Sequence, residues 1–379
     1  MTISSLRLVS ALSALACFAC QPRTPTARPP SDREAAAEQT VAASPPRELH
    51  IFADRGSATD ATARYLLLGR DAAGSSYQPL TATLPAAATH FVPRAGHTTW
   101  VAGHTVEALL DDATADSAQK LSLRVSPRPG DAAAASPVQV ALPAPCTQTA
   151  PALLQAEGER LHALLRCPKE GYALLLTLDD HGRLQTSRRV PAAADATLFL
   201  HQPDGDYLAV ARQVLRVPKA AGSAQPDGQD DLLPIIGTVP PPGGDSDTRE
   251  LIRSGELLLI VDGAAGRVIV MDAARMGWRT EKRFYSQGTV TRLRSVLTAP
   301  DRLLVVTAEQ TKPGTELFAT LIVLSDTSSQ PPGRWQLGGV PRADHELVPI
   351  ADSEGGGALL IYSRTGAGGA TLVSRRLTP

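Results

Sequence analysis

Eight histidines, four cysteines and three acidic turns carry most of the chemistry open to this 379-residue sequence. The densest group is "GHTTWVAGH" (96–104), with His97, Trp100 and His104. On one strand of period two His97 and His104 fall on opposite faces, which makes them poor co-ligands and reads them as core or rim side chains. His162, His181, His201 and His345 lie in separate segments, so only folding could bring any of them together. The turns "PDGD" (203–206), "PDGQDD" (226–231) and "GGDSD" (243–247) offer the hard oxygens calcium would want, but none has the EF-hand spacing. Aspartate and glycine favour turns for conformational reasons, so these read as solvated turn residues. No G-x-S-x-G elbow, H-E-x-x-H helix, phosphate loop or dinucleotide fingerprint occurs, and the sequence names no catalytic residue and implies no cofactor.

The cysteines divide by position. Residues 8–19, "LVSALSALACFA", are apolar or small and uncharged, and "CQPRTP" follows. The run is too short to span a bilayer, which takes about 20 apolar residues. It fits the hydrophobic region of a signal peptide, residues 1–19. Ala19-Cys20 resembles the processing site of bacterial lipoproteins, in which the cysteine is diacylated on sulfur, with palmitate-type chains, and becomes the mature N-terminus. The resemblance makes Cys20 the lipidation site and the membrane a partner through that anchor. Cys17, preceded by "ALA", is the competing site, and ordinary secretion with cleavage after Ala16 or Ala19 is the other alternative. Gln21 follows the cysteine where aspartate would imply inner-membrane retention, so the resemblance favours the outer membrane of the envelope. Residues 20–46 are rich in proline, alanine and charge without apolar period, and read as a disordered, lipid-anchored linker.

Cys146 and Cys167 are then alone in a chain expected to reach an oxidising compartment, where cysteines pair. The loop closed would be about 20 residues, worth roughly 3 kcal/mol by the chain-entropy argument. A metal site is the alternative, but no histidine lies at ligand spacing and CxxC is missing, so no metal is expected.

Lysine plus arginine, 37, balances aspartate plus glutamate, 38, for a net charge of −1. No field of one sign steers a polyanion to the surface, and nucleic acid is not an expected partner.

From Glu48 onward, apolar runs of a few residues alternate with glycine, proline and aspartate, an all-β pattern. "GELLLIVDGAAGRVIVMDAARMGWRTEKRFY" (255–285) reads as a three-stranded meander with strands over 257–262, 267–272 and about 278–285. Similar units begin near 159, 301 and 357. Leu164, Leu208, Leu258, Leu303 and Leu359 mark equivalent positions at intervals of roughly 45 to 55 residues, close to the length of a propeller blade. The segment "LLLIVDGAAGRVIVMDAA", with Asp272 closing its second strand and Asp326 at the matching place, resembles the repeat of YVTN-type bacterial β-propellers. The resemblance implies a β-propeller over 47–379, of about seven blades (six to eight). A β-sandwich followed by a second β domain is the alternative.

The last unit offers strands near 346–351, 358–363 and 370–377, one short of four. "ELHIFAD" (48–54) is the expected fourth, joining the N-terminal strand to the last blade and covering its edge. Trp100, Trp278 and Trp335 fall in three units, as blade packing or as a ligand platform at the ring mouth. The function expected is an envelope lipoprotein whose propeller face binds a protein or small ligand, or scaffolds an assembly. The alternative is a propeller enzyme, a hydrolase or lyase with residues converging at the central channel.

Overall fold

The alternating pattern folds into seven successive antiparallel sheets in the computed structural model. It describes residues 35–42, 48–54, 64–70, 78–80, 95–111, 117–126, 136–191, 193–210, 213–219, 233–234, 246–275, 277–325, 333–337, 347–351, 357–366 and 369–378. We number the sheets by their first strands: Glu48–Asp54, Thr98–Val101, Leu153–Glu157, Ala196–Gln202, Arg249–Ser254, Thr289–Ala299 and Val348–Ala351. Among the described residues the first sheet has three strands and the other six have four. The all-β expectation holds. Leu164, Leu208, Leu258, Leu303 and Leu359 all lie on the second strands of their sheets.

Each second strand is sandwiched, which explains its almost unbroken apolar sequence. In Leu257–Asp262 of the fifth sheet, Leu258 and Ile260 pack towards the fourth with Leu200, Tyr207 and Val214. Leu259 and Val261 point the other way, into a cluster with Leu293, Leu303 and Val305 of the sixth. Alternation along the strand therefore serves two interfaces instead of one interface and solvent. Like clusters join the second sheet to the third, the third to the fourth, and the sixth to the seventh. The first strands touch in the same succession, from the first sheet to the seventh. Leu49 of the first sheet packs with Val348, Ile350 and Leu359 of the seventh.

The seventh sheet takes its fourth strand from the N-terminal chain, but not from the expected segment. Gln39–Ala42, inside the segment read as linker, pairs antiparallel with Gly369–Leu377 as the outermost strand. Glu48–Asp54 pairs instead with Arg64–Arg70 in the first sheet, in register from Glu48↔Arg70 to Asp54↔Arg64. The misassignment has a physical cause. An outer strand needs to bury little, so "QTVA" shows no apolar period, whereas "ELHIFAD" buries Leu49 and has "RYLLLGR" as a near partner. Glu38 fixes the joint, accepting hydrogen bonds from the Tyr362 hydroxyl and the Arg364 guanidinium. Arg375 donates to the Ala36 carbonyl at 2.7 Å.

Cys146 and Cys167 form the expected disulfide. Both are fully buried. Cys146 lies beyond the last strand of the second sheet and Cys167 ends the second strand of the third, so the bond staples two neighbouring sheets.

Candidate functional site

The residues that gather lie at the seam between the third and fourth sheets, one end of which is built by two hairpins. Leu153–Glu157 and Arg160–Cys167 are joined by a two-residue turn in which Gly158 has φ +60°, a conformation that favours glycine. Register places Gln155, His162 and Thr177 in one row across three strands of the third sheet. Leu164, two residues on from His162, packs into the apolar cluster shared with the fourth sheet, so period two turns His162 to that side as well. In the fourth sheet His201 pairs in register with Asp206, and Phe199, two residues before His201, belongs to the same cluster. Two polar rows thus face each other above a shared apolar layer.

Their contact is close. The imidazoles of His162 and His201 stack with centroids 3.4 Å apart and planes 12° from parallel. Gln155 clamps the sheets together, its Nε2 donating to the His201 carbonyl and its Oε1 accepting from the His201 N–H, both at 2.8 Å. His201 Nδ1 lies 2.6 Å from Asp206 Oδ1. A carboxylate only accepts, so this places a proton on Nδ1. His201 Nε2 is 3.2 Å from Glu157 Oε2, and His162 Nε2 is 3.7 Å from the same oxygen, beyond hydrogen-bond range. His162 Nδ1 meets Thr177 Oγ1 at 3.3 Å. Both imidazoles are buried, and Glu157 is 38% exposed, so the group opens to solvent at its carboxylate.

Burial pushes His162 down to about 3, helped by the positive charges of His201, Lys219 and Arg160. Taking an imidazolium out of water is unfavourable, and the nearby cations deepen the effect. His162 is therefore neutral at physiological pH. Its Nε2 is buried and has no hydrogen-bond partner among the described residues. A neutral imidazole beside a carboxylate suits a transition metal or proton transfer.

The other candidates disperse. His97 sits just before Thr98–Val101 and His104 opens His104–Leu109, because Ala102 and Gly103, with φ of 49° and 88°, turn the chain between those two strands. The single-strand expectation fails there for want of a recognised tight turn. Each ring meets a backbone carbonyl, His97 that of Ala152 and His104 that of Ser126. His181 is an exposed turn residue, and His345 lies outside the described residues. Trp335 and Trp100 are buried, while Trp278 stands exposed on the outermost strand of the fifth sheet. Asp272 ends its strand and caps the turn that follows, and Asp326 lies outside the described residues.

Of the acidic turns, "PDGD" is more engaged than expected. Asp204 accepts from the Tyr207 hydroxyl at 2.8 Å and pairs with Arg253 of the fifth sheet at 3.4 Å. Burial and that hydrogen bond push Tyr207 up to about 12. "PDGQDD" lies outside the described residues, and Asp247 of "GGDSD" is 3.7 Å from Arg294.

No protein-family model matches the sequence, and comparison with curated proteins finds no significant match. Among solved structures, Hsv2 of Kluyveromyces lactis overlaps 88% of this chain and 99% of its own, at 10% identity and a TM-score of 0.48. Hydrazine synthase of Kuenenia stuttgartiensis overlaps 75% of this chain and 79% of its own, at 11% identity and a TM-score of 0.43. The dihydro-heme d1 dehydrogenase NirN covers 92% of this chain and 81% of its own, at 14% identity and a TM-score of 0.39. The functional reading below rests on the chain's own residues.

Proposed function

We propose that this chain is a lipid-anchored binding or scaffolding module of the bacterial envelope, built on a closed seven-bladed β-propeller. The observation that carries the reading is the placement of Gln39–Ala42 on the outermost edge of the seventh sheet. A tether reaching this strand from Cys20 arrives at the rim of the disc, so both loop-bearing faces stay free for a partner. Closure is supported by the packing of Leu49 on the seventh sheet and by the shared sheet of the two chain ends. Pairing the N-terminal strand with Gly369–Leu377 covers part of the edge that the last sheet would otherwise leave open.

The anchor and the binding role are tested separately. Cys20→Ser is expected to move the protein from the membrane to the soluble envelope fraction, with loss of incorporated acyl label. Release by Cys17→Ser instead would transfer the anchor to that residue, and retention by both variants would refute lipidation. For binding, photo-crosslinkers in cells at Glu159 and Glu256, on hairpins between first and second strands, are compared with one at Lys169 at the other end of the third sheet. Discrete adducts confined to one face are expected. Their absence from both faces would refute a binding module.

A further inference from the structure

We propose that the seam between the third and fourth sheets is a binding site for one divalent transition-metal ion of the zinc class, held by Glu157, His162 and His201. The sequence suggested no metal, because the ligands come from two sheets and share no local spacing. In the fold their donor atoms all lie within 4.8 Å of one another.

Three observations point to an ion instead of a merely packed histidine pair. The first is distance. Ligand atoms about 2.1 Å from a tetrahedral ion lie roughly 3.4 Å apart. Glu157 Oε2 is 3.2 Å from His201 Nε2 and 3.7 Å from His162 Nε2, which brackets that edge. The second is outer support. A metal-bound histidine usually gives its other ring N–H to a carboxylate or other acceptor, which fixes the tautomer and aims the free nitrogen. Asp206 does this for His201 Nδ1 at 2.6 Å, and the Thr177 hydroxyl is placed to do it for His162 Nδ1. The third is the orphan. His162 Nε2 is buried without a hydrogen-bond partner among the described residues, an unfavourable arrangement unless something occupies it. With its proton on Nδ1, His162 turns a bare lone pair into the space beside Glu157.

The rings are nearly parallel, so their lone pairs do not yet meet at one point. The terminal torsion of histidine is soft, and a turn of the His162 ring towards His201 Nε2 and Glu157 leaves the Gln155 clamp and the Asp206 contact in place. Imidazole and carboxylate together suit zinc, copper or nickel better than calcium or magnesium. Three protein donors leave a fourth position on the solvent side, where Glu157 is partly exposed. The site does not depend on the lipid anchor or on a binding role for the propeller.

The test uses the full chain purified in detergent, stripped with chelator and titrated with Zn²⁺ or Co²⁺ alone. One equivalent is expected, with the visible absorption of tetrahedral Co²⁺. Glu157→Gln, which alters a partly exposed group and leaves the packing intact, is expected to weaken binding at least tenfold. His162→Ala and His201→Ala are each expected to weaken it more, and Asp206→Asn by about 10- to 100-fold. His181→Ala is expected to bind like the parent. Absence of saturable binding overturns the proposal. So does an equivalent that Glu157→Gln and His162→Ala both retain, since an ion held elsewhere, including at Cys17 or Cys20, would survive those changes.

Discussion

Glu38 accepts a hydrogen bond from the hydroxyl of Tyr362, 324 residues further along the chain. The pair joins the strand that enters the folded body to the one next to last in sequence, and Arg364 and Arg375 surround the same carboxylate. Burial alone would raise the Glu38 carboxyl. The hydrogen bonds from Tyr362 and Arg364, with the charges of Arg364 and Arg375, outweigh it, and the net is a carboxyl below its ordinary range. The same contact and burial push the Tyr362 phenol upward.

The joint is therefore expected to weaken in acid. A carboxyl depressed in the folded state contributes stability that is present above its unfolded value, about 4.5, and lost as pH falls through the folded value. Glu38→Gln should cost about 1 kcal/mol at neutral pH, after allowing for partial exposure. The gap between parent and variant should narrow as pH falls below about 4.5. Urea unfolding at several pH values measures it, and a gap that widens in acid would contradict the assignment.

Removing the outermost strand of the last sheet should matter far more than removing the residues that precede it. Deletion of residues 21–34 is expected to leave thermal unfolding unchanged. Deletion of 21–42 removes the pairing of Gln39 with Ser374 and Thr40 with Val373, and exposes the edge of Gly369–Leu377. Loss of a few kcal/mol and a rise in aggregation are expected, since each lost hydrogen bond is worth about 1 kcal/mol net. Equal behaviour of the two truncations would mean that the strand does not hold the last sheet.

The sixth sheet carries a buried ion pair. Glu309 and Arg334 meet at 2.9 Å with side chains 0% and 3% exposed. Glu309 also accepts from the Gln287 and Gly288 N–H groups and the Thr307 hydroxyl, while Arg334 lies 3.7 Å above the Phe318 ring. Arg334→Leu strands a buried carboxylate and is expected to cost about 3–5 kcal/mol. Replacing both partners together, Glu309→Leu with Arg334→Leu, should cost less than the sum of the single changes. Denaturant unfolding of the four proteins measures the coupling, and strict additivity would show that the pair acts as two separate residues.

The Cys146–Cys167 bond closes a loop of sequence separation 21. Cys146→Ser with Cys167→Ser is expected to lower stability by about 3 kcal/mol. Because both sulfurs are buried, the intact parent should resist reductant until it unfolds. Free thiols in protein purified without reductant, found by mass spectrometry of unreduced peptides, would overturn the pairing.

Alternation of apolar residues and turn signals at a nearly constant interval determined the all-β class, the repeat, and the position of the second strand in five sheets. Those signals are local, because a strand sandwiched between two neighbours must be apolar on both sides. The pairing of Cys146 with Cys167 was legible by elimination, there being no other cysteine in the body. The strand that completes the last sheet was not, since Gln39–Ala42 packs too little to need an apolar pattern. Nor was the meeting of His162 and His201. Strand parity assigns each histidine a face, but which sheet lies against that face follows from how successive sheets pack, a relation between interfaces that no short stretch of sequence contains. Only that packing brings Glu157, His162, His201 and Asp206 into one group.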